Sequence, residues 1–123
     1  MDVRSIEGCE RKLSHRTVNV WWLVKPEELK AATTGGHLEY VTEFHVAGGE
    51  MVEAHSHPSH EFYYVTSGRG LMVVDGEERE VVPGDLVYIP PNKIHSLRPI
   101  SDSAPINCFS FAISEPGEAS HYA

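Results

Sequence analysis

Residues 49–61 read GEMVEAHSHPSHE, with three histidines and a glutamate in the last seven positions. The stretch is preceded by LEYVTEFHV (38–46), which alternates, and followed by FYYVTSG (62–68), a short β-prone run closed by glycine. An extended chain places alternate side chains on one face. His55 and His57 therefore point the same way. Pro58 and Ser59 bend the chain, and Glu61 opens the next strand on the face of Tyr63 and Val65. Two imidazoles and a carboxylate can thus converge from neighbouring strands. Neutral imidazole nitrogen and carboxylate oxygen are donors that a divalent transition metal accepts. A His-x-His pair alone is more often a solvated loop than a metal site.

The surrounding sequence is β throughout. Leu38, Tyr40, Thr42, Phe44 and Val46 share one face of their strand. Asp75-Gly76-Glu77 reads as a tight hairpin, because Asp-Gly tolerates the positive φ angles of a type I′ turn. REVV (79–82), PGDLVYIPP (83–91), KIHSLRPI (93–100) and INCFSFAIS (106–114) continue the series, punctuated by Gly and Pro. Upstream, TVNVWWLV (17–24) is strongly β-prone. KPEELKAATTGG (25–36) carries the one helical signal: Pro26 at a first helical position, Glu27 and Glu28 in the first turn, and Gly35-Gly36 at the exit. Many short strands with at most one short helix predict an all-β sandwich or barrel. The expected division is a loosely held segment over 1–16, one barrel domain over 17–115, and a tail over 116–123.

Composition narrows the function classes. The chain has 123 residues, enough for one core. Its Lys+Arg 10 against Asp+Glu 18 give a net charge of -8 with no basic run, which opposes nucleic acid and anionic membrane surfaces. Cys9 and Cys108 are too few for a disulfide scaffold and read as reduced thiols. Residues 1–16 hold no apolar leader, and no apolar run reaches the length of a membrane span. The expectation is a soluble, cytoplasmic protein.

PGDLVYIPPNKIH (83–95) has the form strand, two-proline turn, strand, and delivers His95 from a rigid corner. At this point the chain resembles the cupin superfamily. The first motif of that family, G-x5-H-x-H-x3-E-x6-G, is met by Gly49, His55, His57, Glu61 and Gly68 with every spacing intact. Its second, G-x5-P-x-G-x2-H-x3-N, is met by Gly84, Pro90 and His95, with Asn92 in place of the second glycine and Pro99 in place of the asparagine. Asn also tolerates the left-handed conformation that a glycine position implies.

The resemblance implies a cupin-type jelly-roll barrel, a double-stranded β-helix, with His55, His57, Glu61 and His95 as ligands of one divalent metal. Iron leads, and Mn, Ni, Co or Zn fit the same donors. It also implies a homodimer, in which TVNVWWLV crosses to the partner. The same run can instead cover its own barrel with Trp21 and Trp22. Strand alternation puts Tyr40, Phe44, Met51 and Phe109 around a substrate pocket. Tyr63 shares the face of Glu61, either as a catalytic proton donor or as a core aromatic with a satisfied hydroxyl. His60 has the opposite parity and should face away from the metal. No inward cation is apparent, since Lys93 lies in a turn and Arg98 has the wrong parity. That disfavours sugar phosphates and polycarboxylates, and the aromatic lining favours a small aromatic or enolic substrate. Three functions remain open: a metal-dependent dioxygenase, a metal-assisted isomerase or lyase on a carbonyl or carbohydrate-like substrate, and a non-catalytic small-molecule-binding protein.

Overall fold

The structure is a computed structural model and describes residues 1–117. Of the tail expected over 116–123, residues 118–123 lie outside the described residues. Eleven strands and one helical turn follow in chain order: β1 (Asp2–Arg4), β2 (Arg11–Ser14), β3 (Val18–Trp21), α1 (Lys30–Thr33), β4 (Leu38–Val46), β5 (Val52–His55), β6 (Ser59–Ser67), β7 (Gly70–Val74), β8 (Glu77–Val81), β9 (Leu86–Ile89), β10 (His95–Pro99) and β11 (Ile106–Ser114). A 3-10 turn, Ile6–Gly8, lies between β1 and β2.

Two sheets form the barrel. One has the order β1-β9-β6-β11-β4 and the other β5-β10-β7-β8, while β2 and β3 form a separate hairpin. All the pairings are antiparallel. The non-sequential orders are those of a jelly roll, in which facing sheets enclose one core. That core contains Val46, Tyr63, Val65, Met72, Val74, Val81, Val87, Ile89, Leu97, Ile106 and Cys108. Alternation supplies it: on β11, Ile106, Cys108, Ser110 and Ala112 point inward and are buried, while Phe109 is exposed.

The turns follow their chemistry. Asp75 (φ 50°) and Gly76 (φ 83°) make the tight β7–β8 turn that Asp-Gly announces. Gly68 (φ 79°) has a second reason to lack a side chain, because a Cβ there would lie 2.1 Å from the Pro105 carbonyl oxygen.

The N-terminal region departs from the sequence reading. Residues 1–16 are not simply loose: Asp2–Arg4 pairs with Leu86–Tyr88 at the edge of the larger sheet, and Arg11–Ser14 pairs with β3. A three-residue strand without apolar alternation carries no signature of its own; its pairing comes from the barrel edge. Arg4 locks this region. Its guanidinium donates to Asp2, to the Leu23 carbonyl oxygen at 2.8 Å and to Glu28 at 2.9 Å. The β run expected over 17–24 is strand only across Val18–Trp21. Trp21 to Val24 then line a groove with Tyr64, Leu86, Phe109 and Phe111 on the outer face of the larger sheet. The short helix expected within 25–36 is the single turn of α1, which starts at Lys30 rather than Pro26 and in which Thr33 and Thr34 return their hydroxyls to the carbonyls of Leu29 and Lys30.

Candidate metal centre and cavity

Register builds the site. β10 pairs with β5 so that His95 lies directly opposite His55, and the two rings are 4.3 Å apart. His57 follows on the short link from β5 to β6. Glu61 enters from β6, in the facing sheet. One donor nitrogen from each of His55, His57 and His95 lies within 4.8 Å of the others. Glu61 closes the fourth side: Oε2 contacts His57 Nε2, and Oε1 lies 3.7 Å from His95 Nε2. All four residues of the sequence-read ligand set are therefore brought together, across both sheets.

Two of the imidazoles are oriented by main chain. His55 Nδ1 lies 2.7 Å from the Glu53 carbonyl oxygen, and His95 Nδ1 lies 2.8 Å from that of Lys93. A carbonyl oxygen only accepts, so each Nδ1 carries the proton and each Nε2 presents its lone pair. This is the arrangement found around metal-bound histidine. His57 is held through its backbone, whose carbonyl accepts from the Asn92 amide at 2.8 Å. Asn92 has φ 64°, the left-handed conformation implied by its place in the motif.

His95 and Glu61 are both almost completely buried. His95 Nε2 has no hydrogen-bond partner among the described residues. A buried imidazole lone pair facing two more histidines and a carboxylate is a donor set that fits a divalent transition metal. The electrostatics agree. Burial works against ionising Glu61, but interactions with His57, His95 and Tyr63 outweigh it and hold the carboxyl well below the usual carboxylate range. The hydrogen bond with Glu61 raises His57, against the opposing effect of burial.

A cavity of about 620 Å³ reaches this cluster at His55 and Glu61. Tyr40, Phe44 and Met51 line it, as alternation indicated. Phe109 does not. It occupies the outward parity of β11, is 40% exposed, and packs near Phe111 and the Trp21–Val24 groove. Tyr63 lies in the cavity wall, is buried, and meets Phe44 edge-on at 4.9 Å. None of the described residues lining the cavity is Lys or Arg. His60 faces the other side of the sheet, with Nδ1 2.7 Å from the Tyr88 hydroxyl. Burial pushes the Cys108 thiol up to about 12, so it is no nucleophile at neutral pH.

Two residues were passed over in the sequence. Ser110 lines the cavity, and its buried hydroxyl has no hydrogen-bond partner among the described residues. Its signal was a polar residue at the inward parity of INCFSFAIS. Glu39 gave no such signal, because a strand irregularity decides where it points.

Comparison with known proteins places these features. The family model described as Cupin domain matches residues 42–111, more than half of the chain. An uncharacterised protein of Methanocaldococcus jannaschii is 40% identical over 68 residues, covering 54% of this chain and 54% of that protein. The chain thus spans about half the length of that relative. Quercetin 2,3-dioxygenase of Bacillus subtilis is 37% identical over 51 residues, covering 41% of this chain and 15% of that protein. Among solved structures, a cupin 2 domain-containing protein from Halorhodospira halophila matches with TM-score 0.61 at 17% identity, over 95% of this chain and 77% of that one. A predicted oxalate decarboxylase from Thermotoga maritima matches with TM-score 0.59 at 21% identity, over 93% and 99%. Similarity at this level shows the shared fold.

Proposed function

Because the chain belongs to the Cupin domain family, we propose that it is a metal-dependent enzyme of dioxygenase type, acting on a small aromatic or enolic molecule. The observation that carries this reading is buried His95, whose Nε2 has no hydrogen-bond partner among the described residues and lies with His55, His57 and Glu61 beside an apolar cavity. His55, His57, His95 and Glu61 would hold one divalent metal, iron first among the ions these donors suit. When bound, such an ion supplies Lewis acidity and, for a redox-active metal, access to oxygen chemistry.

The chain's own residues do the rest. Tyr40, Phe44, Met51 and Val52 give the substrate apolar walls and exclude water. With no Lys or Arg among those walls and with Glu50 at the rim, the cavity favours a neutral ligand over a dicarboxylate. Ser110 offers a hydroxyl that an oxygen-bearing ring can satisfy. Tyr63, beside Glu61, holds a phenolic proton at the cavity wall and can donate it to a substrate oxygen. The similarity to a quercetin dioxygenase, an enzyme whose name states an aromatic substrate, supports the same class.

A second reading, a metal-assisted isomerase or lyase, draws on that phenol, since proton transfer is what such reactions need. In either case the exposed apolar residues Leu13, Val18 and Trp21 of the β2–β3 hairpin suit a homodimer contact.

The test begins with metal analysis of protein made without a histidine tag. Oxygen consumption by the Fe(II)-loaded protein is then measured with a panel of flavonols, catechols and β-diketones. Uptake with one of these supports the dioxygenase. Saturable binding without oxygen uptake or turnover rejects it in favour of a binding protein.

A further inference from the structure

Among the described residues three serines are buried, Ser59, Ser110 and Ser114. Two have partners. Ser59 donates to Glu39 Oε2 at 3.2 Å, and the Ser114 hydroxyl accepts from the His37 amide at 2.9 Å. Ser110 Oγ has no hydrogen-bond partner among the described residues, although Ser110 is only 2% exposed. A buried hydroxyl left so is costly, and an alanine in its place would avoid the cost. Stability forgone in this way marks a functional position.

Register places this hydroxyl in the cavity. Ser110 lies opposite Thr42 on β4 and Tyr63 on β6, and all three line the cavity. Thr42 is exposed, on the outer strand of the larger sheet, whereas Ser110 and Tyr63 are buried. The row of hydroxyls thus runs inward from the open edge, and at its inner end Tyr63 interacts with Glu61. Apart from Glu61 and Tyr63, Ser110 is the one buried lining residue, among those described, with a polar side-chain atom. Glu61 lies two residues along β6 from Tyr63, so Ser110 and Glu61 are about 8 Å apart, backbone to backbone. A ligand that touches both the metal donors and Ser110 therefore needs a polar group at each end.

Resting on the metal-binding reading above, we propose that Ser110 is the specificity-determining residue of the cavity: it selects ligands that carry, besides the oxygens held at the metal, a further hydroxyl or carbonyl oxygen on the far side of the ring. A serine hydroxyl both donates and accepts, so either group suits it. With no Lys or Arg among the described lining residues, that group is neutral. A ligand with hydrocarbon in that place leaves Ser110 unsatisfied and binds more weakly. The substrate class is a small, two-ended oxygenated ring, with a diol or keto-enol at one end and a neutral oxygen at the other.

The test uses Zn(II)-loaded protein, so that no turnover intervenes, and two pairs of catechols matched in size. Hydroxymethylcatechol is set against ethylcatechol, and hydroxyethylcatechol against propylcatechol, each substituted para to one ring hydroxyl. By calorimetry, the preference for the hydroxylated member of at least one pair should be about tenfold greater in the wild type than in Ser110→Ala. In the absence of metal and ligand, Ser110→Ala should melt at the wild-type temperature or above it, because alanine leaves nothing unsatisfied. A hydroxyl kept for structure predicts the opposite sign. A lower melting temperature or an unfolded Ser110→Ala overturns the proposal, and so does an equal preference in the two proteins for both pairs. A wild type that binds none of the four catechols overturns it together with the metal reading. A preference that Ser110→Ala loses, with no oxygen uptake by the iron-loaded protein, upholds the proposal and removes only the dioxygenase.

Discussion

His57 is the residue on which the site turns. It lies between Glu61, which its Nε2 contacts, and a link whose carbonyl is tied to Asn92. His57→Ala removes one of three nitrogen donors while leaving the apolar core untouched. Metal content by mass spectrometry should fall to background, and the far-ultraviolet circular dichroism should stay that of the wild type. His57 also makes metal uptake depend on pH. In the metal-free chain the Glu61 hydrogen bond raises His57 above its ordinary 6.5. The same pairing, against the cost of burial, lowers Glu61 below its ordinary 4.5. The raised imidazole stabilises the fold below pH 6.5, and that contribution disappears as pH rises through the raised value. The lowered carboxyl contributes above pH 4.5 and loses its contribution as pH falls. Metal must displace the His57 proton, so affinity should rise with pH through the neutral range. Calorimetry at about pH 6.5 in buffers of different ionisation enthalpy should show proton release on loading; a heat independent of buffer would contradict it. At this scale spacing was informative for His55, His57 and Glu61, while His95 came from the family motif and reaches them through the β10–β5 register. The sequence was silent on Glu39, whose direction depends on a bulge, and it put Phe109 on the wrong face of β11.

Elements are set by turn chemistry and by pairing, and only the first is written locally. Asp75-Gly76 predicted its hairpin because two adjacent positive φ angles restrict the choice of residues. Gly68 and Gly76 separate two reasons for a glycine. Both have positive φ, but only Gly68 has a backbone atom where a Cβ would sit; at Gly76 the space is open. Gly76→Ala should therefore cost about 1 kcal/mol, the strain of a left-handed Ala. Gly68→Ala should cost about 3 kcal/mol, since Pro105 must move as well. Denaturant unfolding of the two variants measures the difference, and equal costs would show that the Pro105 contact is soft. β1 was not legible, because its partner Leu86–Tyr88 lies far along the chain. Cover of the barrel by Trp21 and Trp22, by contrast, was one of the two readings of that run and agrees with their groove beside Tyr64 and Phe111. The helical signal over 25–36 was legible as a short helix, and one turn formed, Lys30–Thr33, later than Pro26 would start it.

For the whole molecule, the jelly roll was legible from strand count, spacing and the two motifs, whereas the sheet orders were not. Met72 and Leu97 are fully buried in the apolar core and donate nothing to the site, so Leu97→Ala should cost roughly 2–5 kcal/mol by cavity formation. Metal, by contrast, should add stability only by linkage, about 2.7 kcal/mol at a hundredfold excess over its dissociation constant. Calorimetric scans with and without chelator should show a lower but still cooperative melting transition in the stripped protein. Loss of the transition on chelation would mean that the barrel needs its ion to fold. The donors come from both layers, His55 and His95 from one and Glu61 from the other. Among the described residues no helix is long and apolar enough to cross a membrane.

The hydrogen bond from the Asn92 amide to the His57 carbonyl has a mechanical corollary. The proline corner that aims His95 also moors the strap that bears His57, so a single loop sets the attitude of two donors. Lengthening that corner by one residue, with no change to any ligand, should detune both at once. An intact barrel would remain, unable to grip its ion.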